Sequence, residues 1–222
     1  MDEWHKCFEI FVTFVIRELN LADGRDGRRP IAKGMDEMSN ILTALESFDF
    51  LTALWLFLLA FVLHELEEWH ITEFERRNFV EVPPTATGRS ARMWIAFICA
   101  VGLIWCAAAT LPGIPSIAAW VFLPAIAFML TNALQHAFWS LYFKQYAPGV
   151  ITAVALLIPM GGYLTARAVQ QGYVPAWYVA VLAGLGVWAF IHTVRAGNRM
   201  SPIIRAVYSL GFRLSEKLPK GV

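Results

Sequence analysis

The chain of 222 residues is 58% hydrophobic and only 16% charged, and its formal net charge at neutral pH is +1. A soluble domain of this length is usually about 45–50% apolar and about 25% charged, so the composition favours an integral membrane protein. A net charge this close to zero gives no reason to expect a nucleic-acid partner. The sequence also contains no phosphate-binding glycine pattern.

The N-terminal region, residues 1–46, predicts an amphipathic helix followed by a polar connector. The apolar residues of the helix recur at helical spacing, and they are Trp4, Phe8, Phe11, Val12, Val15 and Leu19. The connector runs from Leu21 to Lys33 and is rich in glycine, arginine and aspartate. We expect this region to pack against or anchor the membrane bundle that follows it.

Five apolar runs within residues 47–195 predict an all-α fold, a polytopic transmembrane helix bundle. About 20 residues are needed to cross the hydrocarbon layer of a bilayer, and each run is long enough to do so. Pro112-Gly113 and Pro148-Gly149 are typical of the connections between such helices. The predicted spans are residues 48–69, 91–110, 117–141, 149–168 and 174–194.

The C-terminal region, residues 196–222, predicts a basic amphipathic helix. Ser201 and Pro202 have the residue types of an N-cap and of a proline in the first helical turn. The apolar residues that share one side of this helix are Ile203, Ile204, Val207, Leu210, Leu214 and Leu218. Because arginine and lysine occupy much of the remainder, we expect the helix to lie on the membrane surface.

Basic residues are distributed unevenly between the two ends of the predicted spans. One side carries most of those close to the membrane, namely Arg76, Arg77, Arg89, Arg92, Lys144, Arg195, Arg199 and Arg205. The other side has Lys33 and Arg167, with Arg25, Arg28 and Arg29 at a greater distance. Because basic residues near the spans favour the cytoplasmic side, we expect a cytoplasmic C-terminus and an external N-terminus.

Polar residues that a membrane interior disfavours lie at the C-terminal ends of the first, third and fifth spans. These residues are His64, Glu67, Glu68, Asn132, His136 and His192. Odd-numbered spans run in the same direction, so these ends lie at one face of the membrane. The fourth span begins at that same face with Tyr146-Ala147-Pro148-Gly149. This convergence is what a functional site requires.

The spacing of these residues is typical of metal ligands. Positions i, i+3 and i+4 share a helix face, which groups His64 with Glu67 and Glu68, and likewise Asn132 with His136. Imidazole and carboxylate groups are zinc ligands, and the same donors also suit iron or manganese. The predicted metal ligands are His64, Glu68, His136 and His192. The metal favoured is zinc.

Glu67, Asn132 and Tyr146 are predicted to be catalytic. Glu67 would act as the general base or acid, and Asn132 or Tyr146 would stabilise charge that develops on the substrate. Asn132 fits a hydrogen bond between helices equally well. Tyr146 belongs to a segment whose proline and glycine also suit a helix start. Glu65 lies at the margin of the arc that the first motif forms.

Three segments together resemble the signatures of the HXXEE-motif family, a group of small microbial integral membrane proteins. They are His64-Glu65-Leu66-Glu67-Glu68 for HxxEE, Asn132-Ala133-Leu134-Gln135-His136 for NxxxH, and Tyr146-Ala147-Pro148-Gly149-Val150-Ile151-Thr152 for YxPGxxT. The resemblance covers roughly residues 50–195 and leaves out both terminal segments. It implies an enzyme, without fixing the reaction, the substrate or the metal.

The expected function is a metal-dependent membrane hydrolase that acts on a lipid or another amphipathic substrate at the cytoplasmic face of a bacterial membrane. Three alternatives remain open: a metal-free glutamate-type intramembrane hydrolase, an iron-dependent lipid-modifying oxygenase, and a proton- or cation-coupled transporter. Thr72 replaces the arginine that follows the Glu-Glu pair in glutamate-type proteases, and no internal repeat typical of transporters is visible. Membrane lipids are the expected partners, and the sequence leaves self-association open.

Overall fold

The computed structural model of the protein describes residues 48–217, so the predicted N-terminal helix, its connector and Leu218 lie outside the described residues. The helices of the described chain confirm the prediction of an all-α bundle. They are α1 (Phe50–Glu67), α2 (Ile71–Asn78), α3 (Gly88–Thr110), α4 (Pro115–Phe143), α5 (Val150–Thr152), α6 (Ile158–Gln170), α7 (Ala176–Ala196) and α8 (Pro202–Glu216).

Five helical segments of the described chain are long and apolar enough to cross a membrane, as predicted. These spans are Phe50–Asn78, Gly88–Thr110, Pro115–Phe143, Val150–Gln170 and Ala176–Ala196. The first span continues well past the predicted end at residue 69, because a 3₁₀ turn at Glu68–His70 joins α1 directly to α2. A π-helical turn at Ala153–Leu157 joins α5 to α6 within the fourth span.

α1 lies at the centre of the bundle, in contact with α3, α4 and α6. Its start is capped by Asp49, whose carboxylate accepts a hydrogen bond of 3.0 Å from the amide of Thr52. The largest fully buried apolar residues come from α1, α4 and the fourth span, and they are Leu54, Phe57, Leu123, Ile126, Leu157 and Leu164. This core holds the polar C-terminal ends of α1 and α4 side by side.

α4 contains Pro124, which cannot donate the backbone hydrogen bond that the carbonyl of Trp120 would receive in a regular helix. The hydroxyl of Tyr178 on α7 donates to this carbonyl instead, at 2.8 Å. α7 makes its principal packing contacts with α4. The interruption of α4 therefore gives α7 a polar attachment point within an otherwise apolar interface.

α8 begins where the sequence predicts, with the Ser201 hydroxyl accepting a hydrogen bond of 3.3 Å from the amide of Ile204. It packs extensively against α3. A Cβ atom at Gly211 would lie 2.2 Å from the carbonyl oxygen of Ser90, so this crossing requires glycine. Tyr208 is buried here, whereas Leu210 is 40% exposed. The face that packs against α3 thus includes Tyr208 and Gly211, and the membrane-surface location of α8 stays a prediction.

Candidate metal centre

His64 lies in the last turn of α1 and is completely buried. Its Nδ1 atom is 3.0 Å from the carbonyl oxygen of Gly149 and 3.0 Å from the Thr152 hydroxyl. A carbonyl oxygen only accepts hydrogen bonds, so the contact with Gly149 places a proton on Nδ1. The other nitrogen, Nε2, then presents its lone pair when the ring is neutral.

Glu68 lies in the 3₁₀ turn after α1 and brings the two predicted histidine ligands together. Its Oε1 atom is 3.0 Å from Nε2 of His64 and 2.8 Å from Nε2 of His136. The two imidazole rings are perpendicular, with centroids 5.0 Å apart. One donor atom from each of the three residues lies within 4.8 Å of the other two. Among the described residues, this His64–Glu68–His136 group has the arrangement of a metal site.

Asn132 adjoins this group from α4. It lies one helical turn before His136 on α4, and its side-chain amide is 3.0 Å from Nε2 of His64. The predicted convergence of the HxxEE and NxxxH motifs is therefore present in the structure. The amide is close enough to the group to contact a ligand bound there.

Glu67 lies in a different environment from Glu68. Its Oε1 accepts hydrogen bonds from the Tyr146 hydroxyl at 2.7 Å and from the amide of Ile151 at 3.1 Å. Its Oε2 accepts from the amide and hydroxyl of Thr152, at 2.8 and 2.5 Å. The carboxylate thus caps the start of the fourth span, where exposed amides and the helix dipole favour negative charge. These contacts favour a positioning role over the proton transfer that the sequence predicts.

Gly149 explains why this helix start lies against the histidines. Its φ angle is +93°, a left-handed conformation that favours glycine. A Cβ atom there would lie 2.9 Å from His64 Cε1 and 3.0 Å from His136 Nδ1. Gly149 offers no side chain to cap the helix, so Glu67 supplies the cap from α1. The YxPGxxT motif is therefore the docking segment of the fourth span.

Tyr146 and His192 occupy the periphery of the site. Tyr146 is 52% exposed, and its hydroxyl donates to Glu67. Partial desolvation and this hydrogen bond raise the pKa of the hydroxyl above its usual value. His192 is exposed, with Nδ1 3.0 Å from the carbonyl oxygen of Trp188 and its ring tilted at 49° to that indole, with centroids 4.5 Å apart. The structure does not bring His192 into the group of three donors, so its role as a ligand stays a prediction.

A cavity of about 570 Å³ adjoins the His64–Glu68–His136 group, which is called the donor group below. Glu68, His136 and Asn132 line it, while His64, Glu67 and Tyr146 do not. Its walls come from the first span, α3, α4, α7 and α8. The donor group therefore separates the cavity from the junction of α1 with the fourth span.

Two further carboxylates line the cavity, Glu65 and Glu75. Both are buried, and the hydroxyl of Tyr208 on α8 donates to Glu75. The sequence predicts no role for either residue, because Glu65 lies at the margin of the motif and the first span is predicted to end at residue 69, before Glu75. The signal that could have revealed them is the spacing of three, four and three residues that joins Glu65, Glu68, Thr72 and Glu75.

The fold and the site define a class: a multi-span helical membrane protein with a buried His–Glu–His group at one end of its bundle. Residues 55–164 match the model of the family described as "Protein of unknown function with HXXEE motif", so this part of the chain is a domain of that family. All three motifs quoted above fall within the matched residues. No curated protein and no solved structure matches the chain.

Proposed function

We propose that the protein is a metal-dependent membrane hydrolase that acts on an amphipathic substrate held in the cavity. One observation carries this proposal: two buried imidazoles direct Nε2 at the same carboxylate oxygen of Glu68. With Nδ1 of His64 protonated, a neutral ring would point the lone pair of Nε2 at that oxygen, and the lone pair and the carboxylate would repel each other. A cation between these atoms, either a metal ion or a proton, removes the repulsion.

The donor set fits zinc. Two histidines and one glutamate form a known catalytic zinc set that leaves a fourth position for water or substrate. Zinc bonds to these atoms are about 2.0–2.2 Å long, so two donors on one ion are roughly 3.3–3.5 Å apart. The observed separations of 2.8 and 3.0 Å therefore require only a small outward shift. The hydrogen bond from Nδ1 of His64 to Gly149 is the kind of support that orients metal-bound histidine.

Each residue of the site has a distinct task in this proposal. A bound zinc ion would lower the pKa of its water to about 7 and so supply a nucleophile at neutral pH. Asn132 would donate its amide hydrogen bond to the oxygen of the bond under attack. Glu67 would hold the start of the fourth span, and with it the carbonyl of Gly149, in place against His64.

The proposal places the site at the cytoplasmic face of a bacterial membrane. Basic residues follow the first span, at Arg76 and Arg77, and the fifth span, at Arg195 and Arg199. Both positions lie at the same end of the bundle as the donor group, and basic residues near span ends favour the cytoplasmic side. A substrate with an apolar tail would reach the cavity from the membrane.

Metal content of the purified full-length protein tests the proposal. We expect about one zinc ion per chain, and a loss of at least tenfold in zinc affinity for His136→Ala and Glu68→Gln. Glu73→Gln is the matched control, because Glu73 is an exposed glutamate on the adjoining helix, and it should retain full zinc content. A wild-type protein that takes up no stoichiometric metal, even when offered zinc, would leave a proton as the shared cation and overturn the proposal.

A further inference from the structure

In the described part of the chain, the cavity wall carries several acidic side chains and lacks the strongly basic ones. Glu65, Glu68 and Glu75 line it, and among the residues that line it in the described chain there is no lysine or arginine. Arginine and lysine bind phosphate and carboxylate head groups most strongly, and neither is present among these lining residues. Of the three carboxylates, Glu68 is shared with two histidines, whereas Glu65 and Glu75 face the cavity without a basic partner in residues 48–217. The cavity wall therefore favours a cationic head group over an anionic one.

Glu65 is the carboxylate that most clearly lacks a partner. The residue is 4% exposed, and its Oε2 atom is buried without a hydrogen bond. Glu65 forms no ion pair with any residue in the described part of the chain. A buried carboxylate in this state is unfavourable unless a donor or a cation approaches it. The open space next to it is the cavity.

Glu75 provides a second acceptor in the same wall. The Tyr208 hydroxyl donates to its Oε2 atom, and the Thr72 hydroxyl lies 3.4 Å from that of Tyr208. Oε1 of Glu75 has no hydrogen bond within residues 48–217. Glu75 is thus held in place by α8 while one oxygen stays available to a ligand.

Aromatic rings surround the same space. The cavity is lined by Trp94, Phe128, Trp139, Trp188 and Tyr208. The face of an aromatic ring attracts cations, and cages of such rings with nearby carboxylates recognise ammonium groups. Carboxylates without basic partners and a set of indole rings therefore point to the same ligand chemistry.

A second cavity provides space for an apolar tail. It has a volume of about 330 Å³ and lies between α1, α3 and α4. Both cavities are lined by Ile98, Pro124, Phe128 and Met129. The second cavity is lined by apolar residues and glycine, among them Phe57, Leu58 and Phe61. The two cavities therefore adjoin each other at the four residues that they share, and an apolar space lies next to the carboxylates.

We propose that the cavity binds an amphiphile with a cationic amine head group, paired with Glu65, and with its hydrocarbon tail along the apolar wall. This inference deepens the proposed function, and it rests on that function only in treating the ligand as the substrate. The amine provides the N–H donors and the positive charge that Glu65 lacks. The carboxylates of Glu65 and Glu75 disfavour an anionic phospholipid as the substrate.

Ligand titrations of the full-length protein in phosphatidylcholine nanodiscs test this inference. The probes are dodecylamine and dodecanoate, which share chain length and differ in head-group charge. Binding is followed by tryptophan fluorescence, because three of the lining residues are tryptophans. We expect dodecylamine to bind at least tenfold more tightly than dodecanoate, and Glu65→Gln to remove most of that preference. Equal or tighter binding of dodecanoate would overturn the inference.

Two further variants keep the inference testable if Glu65→Gln fails to fold. Trp188→Leu changes an indole that is 61% exposed, and we expect it to weaken dodecylamine binding several-fold while its zinc content stays unchanged. Glu73→Gln should bind dodecylamine like the wild type. An amine preference that survives both Glu65→Gln and Trp188→Leu contradicts the inference.

Zinc content measured on the same samples separates the two proposals. Zinc bound without an amine preference overturns the head-group inference alone. An amine preference without zinc overturns the proposed hydrolase and leaves the head-group inference standing.

Discussion

Glu65 and Glu67 are two residues apart in one motif, yet they face opposite sides of the donor group. Glu67 faces the start of the fourth span and accepts four hydrogen bonds there. Glu65 faces the cavity and has a buried oxygen without any hydrogen bond. Successive residues of a helix are rotated by about 100°, so one short segment serves both an assembled junction and an open cavity. A carboxylate that already has partners holds structure, whereas one without partners is available to a ligand.

The largest effect that tests this comparison is expected at Gly149, where the junction meets the donor group. Gly149→Ala would place a methyl group within 3.0 Å of both histidine rings, at a φ of +93°. Strain and overpacking together should cost about 2–4 kcal/mol in the free energy of unfolding. Because His64 and His136 must move, zinc binding should be lost as well. Denaturant titration in mixed micelles and metal analysis measure the two effects.

Gly172→Ala is the matched control for that variant. Gly172 also has a positive φ, +68°, but a Cβ atom there would meet nothing within 4 Å. We expect a cost of about 1 kcal/mol from the backbone alone and an unchanged zinc content. Equal losses of zinc in the two variants would show that the junction does not control the histidines.

A smaller effect separates Glu67 from Glu65 directly. Glu67→Gln keeps one acceptor oxygen and turns the other into a donor that faces donors, so we expect a loss of about 2–3 kcal/mol in the free energy of unfolding. Glu65→Gln removes a buried carboxyl group without a partner, so its effect should stay below about 1 kcal/mol and tend toward stabilisation. Denaturant titrations at neutral pH give both values. A greater loss for Glu65→Gln than for Glu67→Gln would reverse the assignment of the two sides.

Much of the bundle, and the meeting of its polar ends, could be predicted from the sequence. The predicted limits of spans two to five differ from the observed ones by at most three residues, because apolar runs and Pro–Gly pairs mark them clearly. His64, Glu68 and His136 could be grouped because spans of the same direction end at the same face. The helical spacing within each motif then indicated that its polar residues share one face of their helix.

Rotation about the helix axis could not be predicted in the same way. Membrane topology places His192 at the right end of the fifth span, but it does not determine which way the side chain points, and His192 is exposed beside Trp188. Glu67 and Glu68 were expected on one arc, yet they contact different spans. Glu75 was missed because the charged segment Glu73–Arg77 predicts a loop, whereas the helix continues through it.

The smallest effect is expected at Tyr146, the outermost contact of the junction. Tyr146→Phe removes one of the four hydrogen bonds to Glu67 and, at a half-exposed site, should cost about 0.5–1 kcal/mol at neutral pH. The raised pKa of this hydroxyl means that its contribution is complete below the pKa of the unfolded chain, about 10. As the pH rises from this value toward the pKa in the folded protein, the hydroxyl ionises in the unfolded chain before it ionises in the folded one, and the contribution is lost. The difference between wild type and Tyr146→Phe should therefore be constant from pH 7 to 9 and shrink by pH 11. Denaturant titrations across this range measure it, and a difference that grows with pH would contradict a hydroxyl held in its neutral form by Glu67.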